Sequence, residues 1–118
     1  MSYRRVTIMS GSPITDELIA DMKNKCMPAS LAFGVTKWEA VQTGPDSGFI
    51  IATYPDKATA DAAADKAAAM RAEVQEEYSG PAPTILQGEV IVSNSVHARN
   101  PPFADLTSAS ITQYGVEL

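Results

Sequence analysis

Cysteine, histidine and tryptophan each occur once in the 118 residues, and each scarcity closes off a class of chemistry. One cysteine, Cys26, permits neither an intramolecular disulfide nor a paired-cysteine metal or redox site. One histidine, His97, has no cysteine partner and no carboxylates at ligand spacing beside it, so no metal pattern is present. The seven glycines are too dispersed for a phosphate-cradling loop, and neither GxGxxG nor GxxxxGK occurs. Nine Lys and Arg residues against fourteen Asp and Glu leave a net charge of −5. The cations fall singly or in pairs, so no basic stripe offers itself to nucleic acid or to an anionic membrane. No apolar run approaches the ~20 residues of a membrane-spanning helix. The opening "MSYRRVTIMSGSP" has no apolar stretch long enough for a signal peptide, and a cytoplasmic protein is the expectation.

What is present is the composition of a folded domain. Hydrophobic residues make up 45% and charged residues 19%, which is globular rather than disordered. The length predicts a single domain over 1–118, large enough to bury a core without staples. Residues 3–10, "YRRVTIMS", alternate loosely and read as a strand ended by Gly11. Thr15 then caps a helix with Asp16 and Glu17 in its first turn, where the helix dipole favours negative charge. Its apolar stripe is Leu18, Met22 and Cys26, which makes Cys26 core filler, and Pro28 predicts an end at about Met27. Two β-rich runs, 35–43 and 48–54, flank "GPDSG" and read as a hairpin. The second run, "FIIATY", is apolar on both faces, as in a strand covered on both sides.

Asp56 predicts the cap of a helix of about 20 residues closed by Ser79-Gly80-Pro81. Its inner stripe is Ala60, Ala63 or Ala64, Ala67, Met70, Val74 and Tyr78, with Arg71 counted to the solvated side. Small side chains in that stripe let the helix approach a sheet closely. A fourth strand is expected over 85–93, with Leu86 and Val90 on one face and Ile85 and Ile91 on the other. Glu89, between Gly88 and Val90, would need a cation such as Lys37 or Arg5 if it faced a dimer core. Residues 94–118 form a C-terminal extension in which "ITQYGVEL" has the pattern of a short extra strand.

The order β-α-β-β-α-β over 3–93 predicts an α+β, ferredoxin-like sandwich. Two helices cover one face of a four-stranded sheet. The second apolar face then predicts association, and a homodimer with sheets packed face to face is the economical solution. The segments "GVTKWEAVQT", "FIIATYPDKATADAAA" and "GEVIVS" carry a resemblance to a known family. The chain resembles the dimeric α+β barrel superfamily, and within it the antibiotic-biosynthesis-monooxygenase-like proteins. That resemblance implies a dimeric α/β barrel. It also implies a pocket between sheet and helices for a small aromatic or polyketide-like molecule, and cofactor-independent monooxygenase chemistry. The haem-degrading members use an Asn on the first strand, a Trp and an axial His. Here the first strand has no Asn, so that set does not transfer. No cofactor and no metal are expected.

The candidate site residues follow from this frame. His97 is the candidate base, its ordinary pKa near ~6.5 suiting proton transfer at neutral pH. The competing reading is an exposed histidine where a strand runs out before Pro101-Pro102. Asn94 and Arg99 flank it and are candidates to bind an anionic or polar group. Trp38 and Tyr54 are candidates to line the pocket, and packing alone also accounts for both. A non-catalytic ligand-binding or interaction protein is the alternative to an enzyme, since one His and one Cys form no complete catalytic set.

Overall fold

The computed structural model describes residues 2–94. In chain order the elements are β1 (Tyr3–Ser10), α1 (Asp16–Asp21), a π-helical turn (Met22–Cys26), α2 (Met27–Ala32), β2 (Lys37–Gly44), β3 (Ser47–Tyr54), α3 (Lys57–Tyr78) and β4 (Thr84–Glu89). The four strands form one antiparallel sheet in the order β2-β3-β1-β4. The chain is thus a small α+β protein, with its helices on one face of the sheet. His97, Arg99 and the expected extra strand within 94–118 lie outside the described residues.

The β-strand period of two sorts the sheet into faces. Tyr3, Arg5 and Thr7 of β1 are buried beneath the helices, and directly opposite them stand Tyr54, Ala52 and Ile50 of β3. Two adjoining cores result. Tyr3, Val35, Tyr54, Ala60 and Ala63 make the first. Leu18, Met22 and Cys26 make the second, with Met70, Val74 and Tyr78 of α3 closing over it. Trp38 packs against both. The alanine stripe does what small side chains permit: Ala60, Ala63 and Ala67 are buried, and α3 lies close against β1 and β3.

Local signals explain most of the boundaries. Thr15 Oγ1 accepts from the Leu18 amide, and Asp56 Oδ1 accepts from the Thr59 amide and hydroxyl, so both expected N-caps are formed. The hairpin between β2 and β3 turns on Pro45-Asp46, with an irregularity in register between Gln42 and Gly44. The Asp46 and Pro45 carbonyls accept from the amides of Gly11 and Ile14, which ties the loop after β1 to the hairpin tip. Gly48 is fitted to this spot: a Cβ there would lie 2.6 Å from the Val41 carbonyl oxygen and 3.3 Å from Ile14.

Two boundaries depart from expectation. Pro28 does not end the first helical segment, which continues to Ala32. The turn before it widens to π geometry, with the Met27 amide donating to the Met22 carbonyl five residues back. A proline in a regular helix lacks a donor and presses on the carbonyl four residues earlier, so a widened turn that restarts the helix at Met27 accommodates it. The fourth strand ends at Glu89 rather than 93. Among the described residues its only neighbour is β1, which begins at Tyr3 opposite Glu89, and the Val90 amide donates to the Ser2 carbonyl as the last bond between them. Beyond it the strand has nothing to pair with among the described residues. Ile91 is consequently 80% exposed and off the sheet. Ile85 stands opposite Thr7 on the helix-covered face, so Leu86, not Ile85, belongs to the uncovered one.

Candidate functional site: a cavity between sheet and helices

The sheet and the helices do not close completely on each other. Between them lies a cavity of about 120 Å³. Its walls are apolar, built mainly from Leu18, Met22, Trp38, Ile50, Met70 and Val74. Its polar lining residues include Arg5, Thr7, Ser30, Tyr54 and Arg71, with Ser10, Ser12, Gln75 and Tyr78 beside them. A concave apolar space with a small number of fixed polar groups is the ordinary form of a small-molecule site.

Arg5 is the unusual member. It sits mid-strand in β1, on the helix-covered face, with 5% of its surface exposed. Its Nε donates to Gln87 Oε1 at 3.0 Å, its Nη1 to the Tyr54 hydroxyl at 2.8 Å and its Nη2 to the Ala60 carbonyl at 3.0 Å. All three acceptors are neutral. Arg5 forms no ion pair among the described residues, where the pairs are Lys25–Asp21, Lys37–Glu39 and Lys57–Asp61. Arg5 therefore does not serve Glu89, which is the exposed last residue of β4. Lys37 does not serve it either, since Lys37 pairs with Glu39 at 3.8 Å.

Arg71 reaches the same cavity from α3 and likewise has no ion pair among the described residues. Burial, and secondarily the Arg5 charge, lower its pKa below the ordinary arginine value. Its position four residues beyond Ala67 puts it at the border of the inner stripe, not on the solvated side. Cys26 also lines the cavity, and burial pushes its thiol up, with Asp21 adding to the effect. That is the reverse of what a nucleophilic cysteine needs. At the rim, the Tyr78 hydroxyl donates to Asp21, and this bond holds the phenol above its ordinary value.

Of the residues singled out from the sequence, Trp38 and Tyr54 stand on the cavity wall. Trp38 is half-buried; Tyr54 is 1% exposed, with its hydroxyl engaged by Arg5. Asn94 is exposed, five residues past the end of β4, and is not part of the lining. The cavity was thus reached in part by sequence reasoning, which missed both arginines. The signal for Arg5 was its place in "YRRVTIMS", in phase with Tyr3, Thr7 and Met9. The signal for Arg71 was its spacing from Ala67.

Comparison with known proteins bears on the fold alone. No protein-family model and no curated protein matches the chain. Among solved structures, it is similar to the NE2512 protein from Nitrosomonas europaea, a protein of unknown function. The two share 22% identity over 80% of this chain and 93% of that one, with a TM-score of 0.61. At this identity the likeness speaks for a shared α+β architecture and carries no activity with it.

Proposed function

We propose that the protein is a small-molecule-binding protein with a ferredoxin-like subunit, its ligand held in the cavity between sheet and helices. The observation that carries this reading is an apolar cavity whose walls include Trp38, Tyr54 and a buried Arg5 that no carboxylate neutralises among the described residues. A core that served packing alone would be expected to fill this space and to exclude a lone buried cation.

The same reading includes a homodimer of the dimeric α/β barrel type. Val6, Ile8, Val41, Phe49, Ile51 and Leu86 share the sheet face opposite the helices, as their cross-strand register requires. Ile8, Val41 and Leu86 are 39%, 41% and 56% exposed in the single chain. An apolar sheet face of this kind is an association surface, and a second copy would cover it with its own.

Cofactor-independent oxygenation of a bound phenol, which the resemblance to antibiotic-biosynthesis-monooxygenase-like proteins implies, is the enzymatic form of this reading. It requires a base at the ligand. The described lining offers no histidine or carboxylate, so that role would fall to His97. Ligand binding without catalysis is accordingly the function that the geometry supports best. Native mass spectrometry of the purified protein tests both halves. The expected result is a dimer that retains an organic adduct or takes one up on addition. A monomer would remove the barrel, and a dimer that takes up no organic molecule under any condition would remove the ligand site.

A further inference from the structure

The cavity has a charge as well as a shape. A guanidinium carries five N–H donors, and the protein engages three of those on Arg5, all with neutral oxygens. Two are left without a protein acceptor among the described residues. Arg71 adds a second guanidinium to the same lining, close enough for the Arg5 charge to act on it. Two like charges in a largely apolar space repel each other and lose hydration, and each effect costs stability unless a counter-charge arrives. Among the described residues no carboxylate side chain lines the cavity. Lys37–Glu39 and Lys57–Asp61 pair on the surface, and the part-buried Asp21 at the rim is engaged by Lys25 and the Tyr78 hydroxyl, so no carboxylate on the lining offsets the two arginines in a chain whose net charge is −5.

We propose that the cavity takes a small amphipathic carboxylate, its carboxyl group held by Arg71 and Arg5 and its hydrocarbon part laid against Leu18, Met22, Ile50 and Met70. A guanidinium matches a carboxylate through two parallel hydrogen bonds, and such charge-assisted bonds are stronger than those to neutral acceptors. The apolar walls add affinity in proportion to the ligand surface they remove from water. Tyr54 has a positioning role: its hydroxyl holds Arg5 Nη1 and so sets which guanidinium edge remains for the ligand. This proposal rests on the cavity being a ligand site and specifies the chemistry of its occupant.

Trp38 makes the test direct, because the only tryptophan of the chain stands on the cavity wall. Its fluorescence is followed in titrations with two pairs of probes matched in size, octanoate against 1-octanol and phenylacetate against 2-phenylethanol. The expected result is a dissociation constant for each carboxylate roughly tenfold or more below that of its alcohol. Arg71→Gln should cut this preference by roughly threefold or more, Arg5 holding the remainder, with the alcohols' affinity within about twofold. Arg71→Lys, which keeps the charge, should retain part of it. Equal binding of acid and alcohol, or an acid preference that Arg71→Gln leaves unchanged, overturns the charge assignment and leaves the ligand site standing. Failure of all four probes to perturb Trp38 overturns both.

Discussion

Arg5 concentrates the physical tension of this protein into one side chain. Its burial is affordable only because three protein oxygens surround it, and the Tyr54 hydroxyl is the only one of these on β3. Tyr54→Phe deletes that acceptor and little volume, leaving a buried N–H of a cation unsatisfied. The expected loss is about 1.5–3 kcal/mol, read as a lower urea midpoint at unchanged m-value. An unaltered midpoint would show that Arg5 finds water or another acceptor, and that Tyr54 contributes only its ring. Cys26 marks the opposite case. Buried among Leu18 and Met22, with its thiol pushed up, it behaves as a small apolar residue, as its place in the helical stripe suggests.

At the scale of elements, α3 is terminated by two local devices with different sensitivities. At its start, Asp56 is held below its ordinary carboxyl pKa by hydrogen bonds from the Thr59 hydroxyl and amide. A depressed folded-state pKa contributes stability that is present above the unfolded value and lost as pH falls through the folded one. Asp56→Asn keeps a capping side chain and removes the titration. The stability difference between wild type and Asp56→Asn should therefore be constant near neutral pH and shrink in acid, from about pH 5 downward. Denaturant midpoints measured across that range check it, and a difference that does not change with pH would deny the cap its charge. At its end, the Ser79 amide bonds to the Glu76 carbonyl and the Gly80 amide to the Gln75 carbonyl, with Ser79 at φ 53°. The left-handed position thus falls on a serine, one residue before the glycine. Ser79→Gly should raise stability by about 0.5–1 kcal/mol, visible as a higher thermal midpoint.

Taken as a whole, the described residues leave one face of the sheet without helices over it. Leu86, on edge strand β4, is 56% exposed in the single chain and shares that face with Val6 and Ile51. In a lone subunit Leu86→Glu should change stability little, because the side chain already meets water. In the proposed dimer it places two carboxylates in an apolar contact, which costs far more than a surface change. Sedimentation velocity should show a dimer for the wild type and a monomer for Leu86→Glu, with unchanged circular dichroism. If both sediment alike, this face is not the subunit contact. No helix among the described residues is long and apolar enough to cross a membrane.

The sequence by itself determined the elements whose signals are local. Thr15 and Asp56 start helices because their side chains reach amides three residues on, and Pro45-Asp46 turns the hairpin because of what those residues do to their own backbone. The alanine stripe of α3 was legible for the same reason, since a period of 3.6 is set within the helix. Tertiary structure decided what depends on neighbours. Pro28 is passed because the turn before it can widen, and β4 stops at Glu89 because β1 runs out opposite it. Trp38 and Tyr54 reach the cavity from different strands, and Arg5 and Arg71 meet there from a strand and a helix 66 positions apart in sequence. Spacing along the chain puts Arg5 and Arg71 in phase with buried neighbours, but whether a charged residue is solvated or buried depends on which surface packs over it.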